Sequence, residues 1–365
     1  MSVTSLKSQD KRVDRTILVL AVALTFFGIL MVYNASVAMA FRNFGDKYHF
    51  VRQQAIWGVI GLFLMFLTSK FPYQKLTKLA TPLMLLAIIF LGLVLIPGVG
   101  THALGARRWL GFGGFSFQPA ELAKLISVIF ISTYLTKKGR TTSLWILMII
   151  LVGLILVEPD LGTAVILAGS SLSLYFVSGG SILALFIAGV LGLAAGIGLI
   201  LFSPYRKERL LTFFDISRDP LGASYHVQQV LLALGSGGLF GLGIGASRQK
   251  YEYLPEATTD SIFAIIGEEL GFIGATLLLI AFLVLIYRGI EVARKAPDQF
   301  GQLLATGIIS WIAIQTLINL AAMVAIVPLT GVPLPFISYG GSSLIITLTG
   351  IGILLNISKY QLAKK

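Results

Sequence analysis

The chain has 365 residues, of which 56% are hydrophobic and only 12% charged, with a mean hydropathy of +0.89. Soluble domains carry about 25% charged residues, so the composition excludes a water-soluble globular enzyme and specifies a polytopic membrane protein. Lys and Arg outnumber Asp and Glu by 28 to 16, and there is no cysteine, which removes disulfides and thiolate metal sites.

Ten apolar stretches are long enough, or nearly so, to cross ~30 Å of hydrocarbon at ~1.5 Å per residue. Their cores are 17–33, 55–68, 79–96, 122–134, 144–157, 161–177, 182–202, 262–287, 305–327 and 344–357. The expected fold is all-α: a single membrane domain over 1–365 with ten transmembrane helices and a large extracytoplasmic loop, 203–259, between helices seven and eight. The first stretch is too long for a signal-peptide core and no small-residue cleavage site follows it, so it counts as a helix. With both termini in the cytoplasm, the cytoplasmic segments hold sixteen of the 28 basic residues and four acidic ones, a net +12. All the net positive charge then falls on one face, as the positive-inside rule requires. These residues flank helices, where they meet anionic lipid headgroups, and no folded domain for nucleic acid is present.

That orientation puts 98–118, 203–259 and 328–343 outside. Loops this long in a compact protein are usually functional. Within the largest, 225–234 (YHVQQVLLAL) has the pattern of a short amphipathic helix on the membrane surface. The run 235–245 (GSGGLFGLGIG) holds six glycines; no strand precedes it, so it reads as a flexible or re-entrant turn and not as a dinucleotide fingerprint.

Charged residues in or beside the hydrocarbon need a use or a partner. Asp260 stands where the large loop meets the eighth helix, in the field of a helix N-terminus. It is either a site carboxylate or a helix cap, with Thr258 and Thr259 as equal cap candidates. Glu121 and Lys124, three apart on the fourth helix, read as a local ion pair. Glu268 and Glu269 lie roughly 12 Å below Asp260, and at most one should face a shared cavity, because adjacent positions point about 100° apart. In Glu158-Pro159-Asp160, Pro159 stops the fifth helix and Asp160 caps the sixth. Arg107, Arg108, Trp109, Arg206, Arg209, Arg248 and Lys250 face outward on a side without net positive charge, which suits an anionic headgroup such as a diphosphate.

Five ordered motifs resemble the SEDS family of RodA/FtsW cell-wall polymerases: GARRW (105–109) with SFQPAELAK (116–124), PDLGT (159–163), LPEATTD (254–260) and PLPFISYGGSS (333–343). The resemblance covers essentially the whole chain, and the wording of the motifs is closer to FtsW. Two departures flank the aspartate: Thr258 stands where a His or a similar polar residue is usual, and Ser261 where a Phe is usual. The resemblance implies inverting peptidoglycan glycosyl transfer from lipid II, with release of undecaprenyl diphosphate, at the bacterial cytoplasmic membrane in cell division. It implies a class B penicillin-binding transpeptidase as partner, with other division or elongation proteins, and an assisting divalent cation (magnesium or manganese) for which no motif specifies ligands.

The chemistry fits these residues independently. A sugar hydroxyl near neutral pH needs a general base within reach. A diphosphate leaving group is a weak base that needs charge neutralisation and no general acid, unlike the carboxyl pair of a glycosidase. Asp260 is thus the expected base, and Arg107, Arg108, Arg248 and Lys250 the expected diphosphate contacts. Glu256, Thr259 and Ser338 join the substrate-binding set from their motifs. Trp109 stacks on sugar or lies in the aromatic belt. Glu121, Lys124, Asp160 and Glu268 are supporting residues. Two other classes stay open: a lipid II flippase, which requires discontinuous helices at mid-depth, and a non-catalytic scaffold for the transpeptidase.

Overall fold

A computed structural model describes residues 13–361 except 104–105, 113–114, 138, 140, 216–223 and 252. All ten predicted stretches fall on helices: α1 (Arg15–Phe44), α2 (His49–Lys70), α3 (Leu76–Leu95), α4 (Pro119–Thr136), α5 (Thr141–Val157), α6 (Leu161–Val177), α7 (Ile182–Leu201), α10 (Ile262–Arg294), α11 (Gln299–Met323) and α12 (Gly341–Ser358). Among the described residues eight of them are long and apolar enough to cross a membrane. The other two, α5 and α6, have 17 residues each and reach only ~25 Å, so ten full spans are not established.

Two connections carry structure of their own. The segment 203–259 holds α8 (Pro204–Phe214) and α9 (Tyr225–Ser236), the second falling on the amphipathic helix expected at 225–234. The segment before α4 folds into an antiparallel sheet of β1 (Gly100–Ala103), β2 (Ala106–Phe112) and β3 (Phe115–Phe117) in that order. Leu110 is buried, and the Phe117 ring meets Phe90 of α3 at 6.0 Å, which docks the sheet on the bundle.

Local chemistry sets the helix ends. The side chains of Asp14, Asp160 and Asp298 accept from the third residue onward, Ile17 N (3.1 Å), Thr163 N (2.9 Å) and Gly301 N (2.7 Å), satisfying donors that a first turn leaves free. Pro119 and Pro204 open α4 and α8, where a missing N–H costs nothing. The first helix runs well past its predicted end, to Phe44, and Asn34 and Ser36 on the extension are buried inside the bundle. Most residues of α4 and α12 are buried, with α11 beside them, whereas α7 buries none.

The eighth predicted helix is broken. Gly271 of α10 has φ 66° and ψ −168°, which ends the ladder inside an apolar segment where free backbone groups cost several kcal/mol each. The glycine run repairs it. Phe272 N and Ile273 N donate to Gly238 O (2.8 Å) and Leu239 O (3.1 Å), while Leu242 N and Gly243 N donate to Glu268 O and Glu269 O (both 3.0 Å). Four helix bonds are thus exchanged for four bonds to 238–243. The approach demands glycine: a Cβ on Gly241 (φ +81°) would lie 2.1 Å from Glu269 O. The run is therefore a re-entrant turn with a fixed partner.

Candidate active site

The loops that carry the five motifs meet at one end of the bundle. The Ser338 hydroxyl donates to Thr259 O (2.5 Å) and accepts from Leu334 N (2.8 Å), and Tyr339 N donates to Thr258 O (2.8 Å). Gln118 N donates to the Ser342 hydroxyl (3.1 Å) and Gln118 Nε2 to Asp160 Oδ2 (3.3 Å), which joins the FQPAE, PDLGT and YGGSS motifs. Gly162 packs against Val332, where a Cβ would come within 2.3 Å. Among the described residues the four non-glycines with positive φ, Pro159 (30°), Glu256 (51°), Ala325 (53°) and Phe336 (65°), all lie in loops of this end. Strain of ~1–3 kcal/mol per residue concentrated in one place points to a functional site.

Asp260 sits in this cluster with only 7% of its surface exposed. It does not cap α10, and neither do Thr258 or Thr259: Ser261 occupies the N-cap position, with no side-chain cap bond. The Asp260 carbonyl accepts from Asn319 Nδ2 of α11 (2.8 Å), which also holds Val332 O (2.8 Å). The Thr259 hydroxyl lies 2.7 Å from Glu256 Oε2 and 3.4 Å from Asp260 Oδ1. Glu256 O accepts from Thr259 N and Ser261 N (both 3.1 Å), closing a tight turn around the aspartate. Burial, helped by the Glu256 carboxylate, pushes the Asp260 carboxyl up to about 7, against the opposing pull of Arg209 and Thr259. A carboxyl poised near neutrality, in a cluster of strained loops, has the property a general base needs. Asn319 Oδ1 and Thr330 Oγ1, buried beside it, have no protein hydrogen-bond partner.

The other predicted residues divide by exposure. Arg107 and Arg248 are exposed and Trp109 is half-buried. Arg108 spends its guanidinium on the α5–α6 turn, Nε to Glu158 O (3.0 Å) and Nη2 to Pro159 O (2.5 Å). Beneath that turn Glu158 is fully buried with both carboxyl oxygens unpartnered; burial first, then Asp160, pushes it up to about 8. Asp160 caps α6 and also accepts the Thr163 hydroxyl (2.8 Å). Lys250 is placed inward: its ammonium contacts Gly245 O (2.5 Å), Asn34 Oδ1 (3.0 Å) and Glu269 Oε1 (3.4 Å).

Both glutamates of α10 serve one turn, although adjacent helical positions point about 100° apart. Glu268 accepts from the Ser247 hydroxyl (2.5 Å), Arg248 N (3.0 Å) and Gln249 N (3.4 Å). Glu269 accepts from Ser247 N (3.2 Å), Lys250 and Asn34. The turn folds back over the broken helix, so two adjacent side chains reach it from different directions. Glu121 and Lys124 form the expected buried pair (2.7 Å), extended by Gln315 (2.8 Å) and by the Trp311 ring 5.3 Å from the ammonium.

Two residues at the site were not singled out as site residues from sequence. His226 of α9 lies 2.6 Å from the Ser261 hydroxyl, and Arg209 of α8 donates to Leu329 O (3.0 Å). Arg209 had been noted only as an outward cation. The available signal for His226 was a rare histidine, one of three in the chain, at the start of the predicted amphipathic helix.

This geometry defines a class: a predominantly helical, multi-pass membrane protein with a buried carboxyl, Asp260, in the strained loops at one end. The chain belongs to the family described as cell cycle protein, which groups FtsW, RodA and SpoVE and matches residues 14–363. It is 42% identical over 357 residues to stage V sporulation protein E of Bacillus subtilis, covering 95% of this chain and 97% of the relative. It is 39% identical over 353 residues to the probable peptidoglycan glycosyltransferase FtsW of Trichlorobacter lovleyi, covering 94% and 93%. Among solved structures, a chain described under "Structural coordination of polymerization and crosslinking by a peptidoglycan synthase complex" superposes with TM-score 0.77 at 30% identity, covering 96% and 99%. The rod shape determining protein RodA of Thermus thermophilus superposes with TM-score 0.71 at 28% identity, covering 96% and 98%.

Proposed function

We propose that this chain is a peptidoglycan glycosyltransferase that polymerises lipid II into glycan strands. The observation that carries the reading is Asp260, a buried carboxyl held near neutrality that caps no helix. In the reaction the acceptor hydroxyl oxygen attacks the anomeric carbon of the donor sugar while Asp260 takes its proton. The bond from that carbon to the diphosphate oxygen breaks, and undecaprenyl diphosphate leaves with the electron pair, inverting the anomeric centre. Exposed Arg107 and Arg248 are the candidate diphosphate contacts. Arg108 and Lys250 act behind them, by fixing the turns at 158–160 and 245–250. Glu256, Thr259 and Ser338 shape the Asp260 loop, and Trp109 offers a face for sugar. For a divalent cation, no group of three or more His, Asp or Glu ligands exists among the described residues, so no step is routed through one.

The site faces the extracytoplasmic side in this reading, with both termini cytoplasmic. Cysteine at Tyr253, 58% exposed, should label in intact cells with an impermeant thiol reagent, and cysteine at Lys75 should not. The reverse pattern would overturn the orientation. A class B penicillin-binding transpeptidase is the proposed partner, since a structural relative comes from a complex of polymerization and crosslinking. The FtsW-like motifs and the FtsW relatives favour division, although the sporulation relative is the more identical, at 42% against 39%.

The flippase reading called for discontinuous helices. The break at Gly271 is one, yet its freed backbone groups are bonded to the glycine run. The deciding assay incubates purified protein, alone and with its partner, with lipid II in detergent and in liposomes. Glycan strands are the expected product. Movement of lipid II between leaflets without polymer would replace this reading with the flippase.

A further inference from the structure

The start of α10 is held by a contact that the reaction as written does not use. α9 lies along the first two turns of α10. Val227, Val230 and Ala233 form its buried face, and Leu234 fits against Gly267, where a Cβ would meet its Cδ2 at 2.5 Å. At the other end of α9, His226 Nε2 lies 2.6 Å from the hydroxyl of Ser261, itself fully buried and adjacent to Asp260. The apolar contacts fix α9 at its C-terminal end and along its length. The imidazole–hydroxyl bond ties down the end nearest the carboxyl.

We propose that His226 is a positioning residue for Asp260: accepting the Ser261 hydroxyl, it locks the N-terminal end of α9 onto the start of α10 and keeps water from the Asp260 carboxyl. The inference rests on the reading of Asp260 as general base. Burial and the nearby Arg209 hold the imidazole far down, at about 4, so at neutral pH a ring nitrogen is free to accept. Ser261 stands where the family resemblance led us to expect Phe, which could not donate, so the lock belongs to this chain. The charged and titratable groups around Asp260 are Glu256 from its own loop, Arg209 from α8, His226 from α9 and Tyr339 from the facing loop; α11 contributes the uncharged Asn319. The acidic limb of activity is assigned to the Asp260 carboxyl, which burial pushes up to about 7.

The test is the pH profile of lipid II polymerisation by full-length protein, with kcat and KM separated and thermal stability read on the same samples. Loosening α9 admits water, which favours the ionised carboxylate and lowers its pKa. His226→Ala should therefore move the acidic limb down by at least one pH unit and lower kcat at neutral pH about tenfold, a fraction of the ~10²–10⁴ a general base contributes, with KM little changed. Ser261→Ala should do the same, the double variant should be no worse than either, and His226→Gln should restore the limb by presenting a group near the Nε2 position. A folded His226→Ala with a wild-type profile, beside an inactive Asp260→Asn, overturns the lock and leaves the base assignment standing. An active Asp260→Asn overturns both. Should His226→Ala not fold, Ser261→Ala removes the same bond by a single atom, and an unchanged profile in it refutes the proposal.

Discussion

Replacing Asp260 by Asn should stabilise the protein at neutral and alkaline pH. The carboxyl is displaced from an ordinary 3.8 to about 7, burial being the first cause. At ~1.36 kcal/mol per pH unit, ionising it in the folded state costs about 4 kcal/mol more than in the unfolded chain. A raised carboxyl pKa means that the folded state binds more protons than the unfolded one between these values. The stability it contributes is complete below pH 4 and lost as pH rises to 7. Asn keeps the shape and never ionises, so the variant escapes this loss. With an unfolding entropy of roughly 2.1 cal/mol/K per residue, the gain corresponds to about 5 °C in Tm at pH 8, falling towards zero at pH 4. The assay is thermal unfolding of wild-type and variant protein in one detergent across that range. Equal Tm values at every pH would refute the reasoning, since they are the outcome for a solvated carboxylate or a helix cap, where Asn is nearly as good as Asp.

Gly241→Ala should cost more than 3 kcal/mol, because the new Cβ would lie 2.1 Å from Glu269 O at a positive φ; Gly243→Ala, with φ +102° and no atom within 4 Å, should lose only the ~1–3 kcal/mol of backbone strain, and equal losses in thermal unfolding would argue against the paired break. Lys124→Met strands Glu121 beside Gln315 and should lose about 3–5 kcal/mol, whereas Lys124→Met with Glu121→Gln should recover most of it; a denaturation cycle on the two single variants and the double variant measures the coupling. Arg248→Ala removes an exposed cation, so Tm should move by less than ~0.5 kcal/mol equivalent, while KM for lipid II rises several-fold with kcat nearly unchanged in steady-state polymerisation.

The helices were legible because apolar runs of this length have few alternative fates. The Glu121–Lys124 pair was legible because three-residue spacing places two side chains on one helix face. Asp260 and its motif stood out at a polar–apolar boundary. The sheet at 100–117 was not legible: its short strands are interrupted by glycines, and what fixes it is Leu110 and the Phe117 ring against α3, a tertiary contact. The break at Gly271 was hidden for a related reason. One glycine in an apolar helix is tolerated, and only the arrival of 237–243 makes the break affordable. Lys250 read as an outward cation from loop position alone, yet Glu269 and Asn34, remote in sequence, draw it inside. His226 was missed because its partner lies 35 residues away.

The measurement that bears most directly on the central claim is the rate at which Asp260→Asn protein converts purified lipid II into glycan strands, at pH 7.5, beside wild type and with the same partner. Loss of the base should lower turnover by roughly 10²–10⁴-fold, with lipid II binding retained because Arg107 and Arg248 are untouched. A folded variant that polymerises at the wild-type rate would contradict the account.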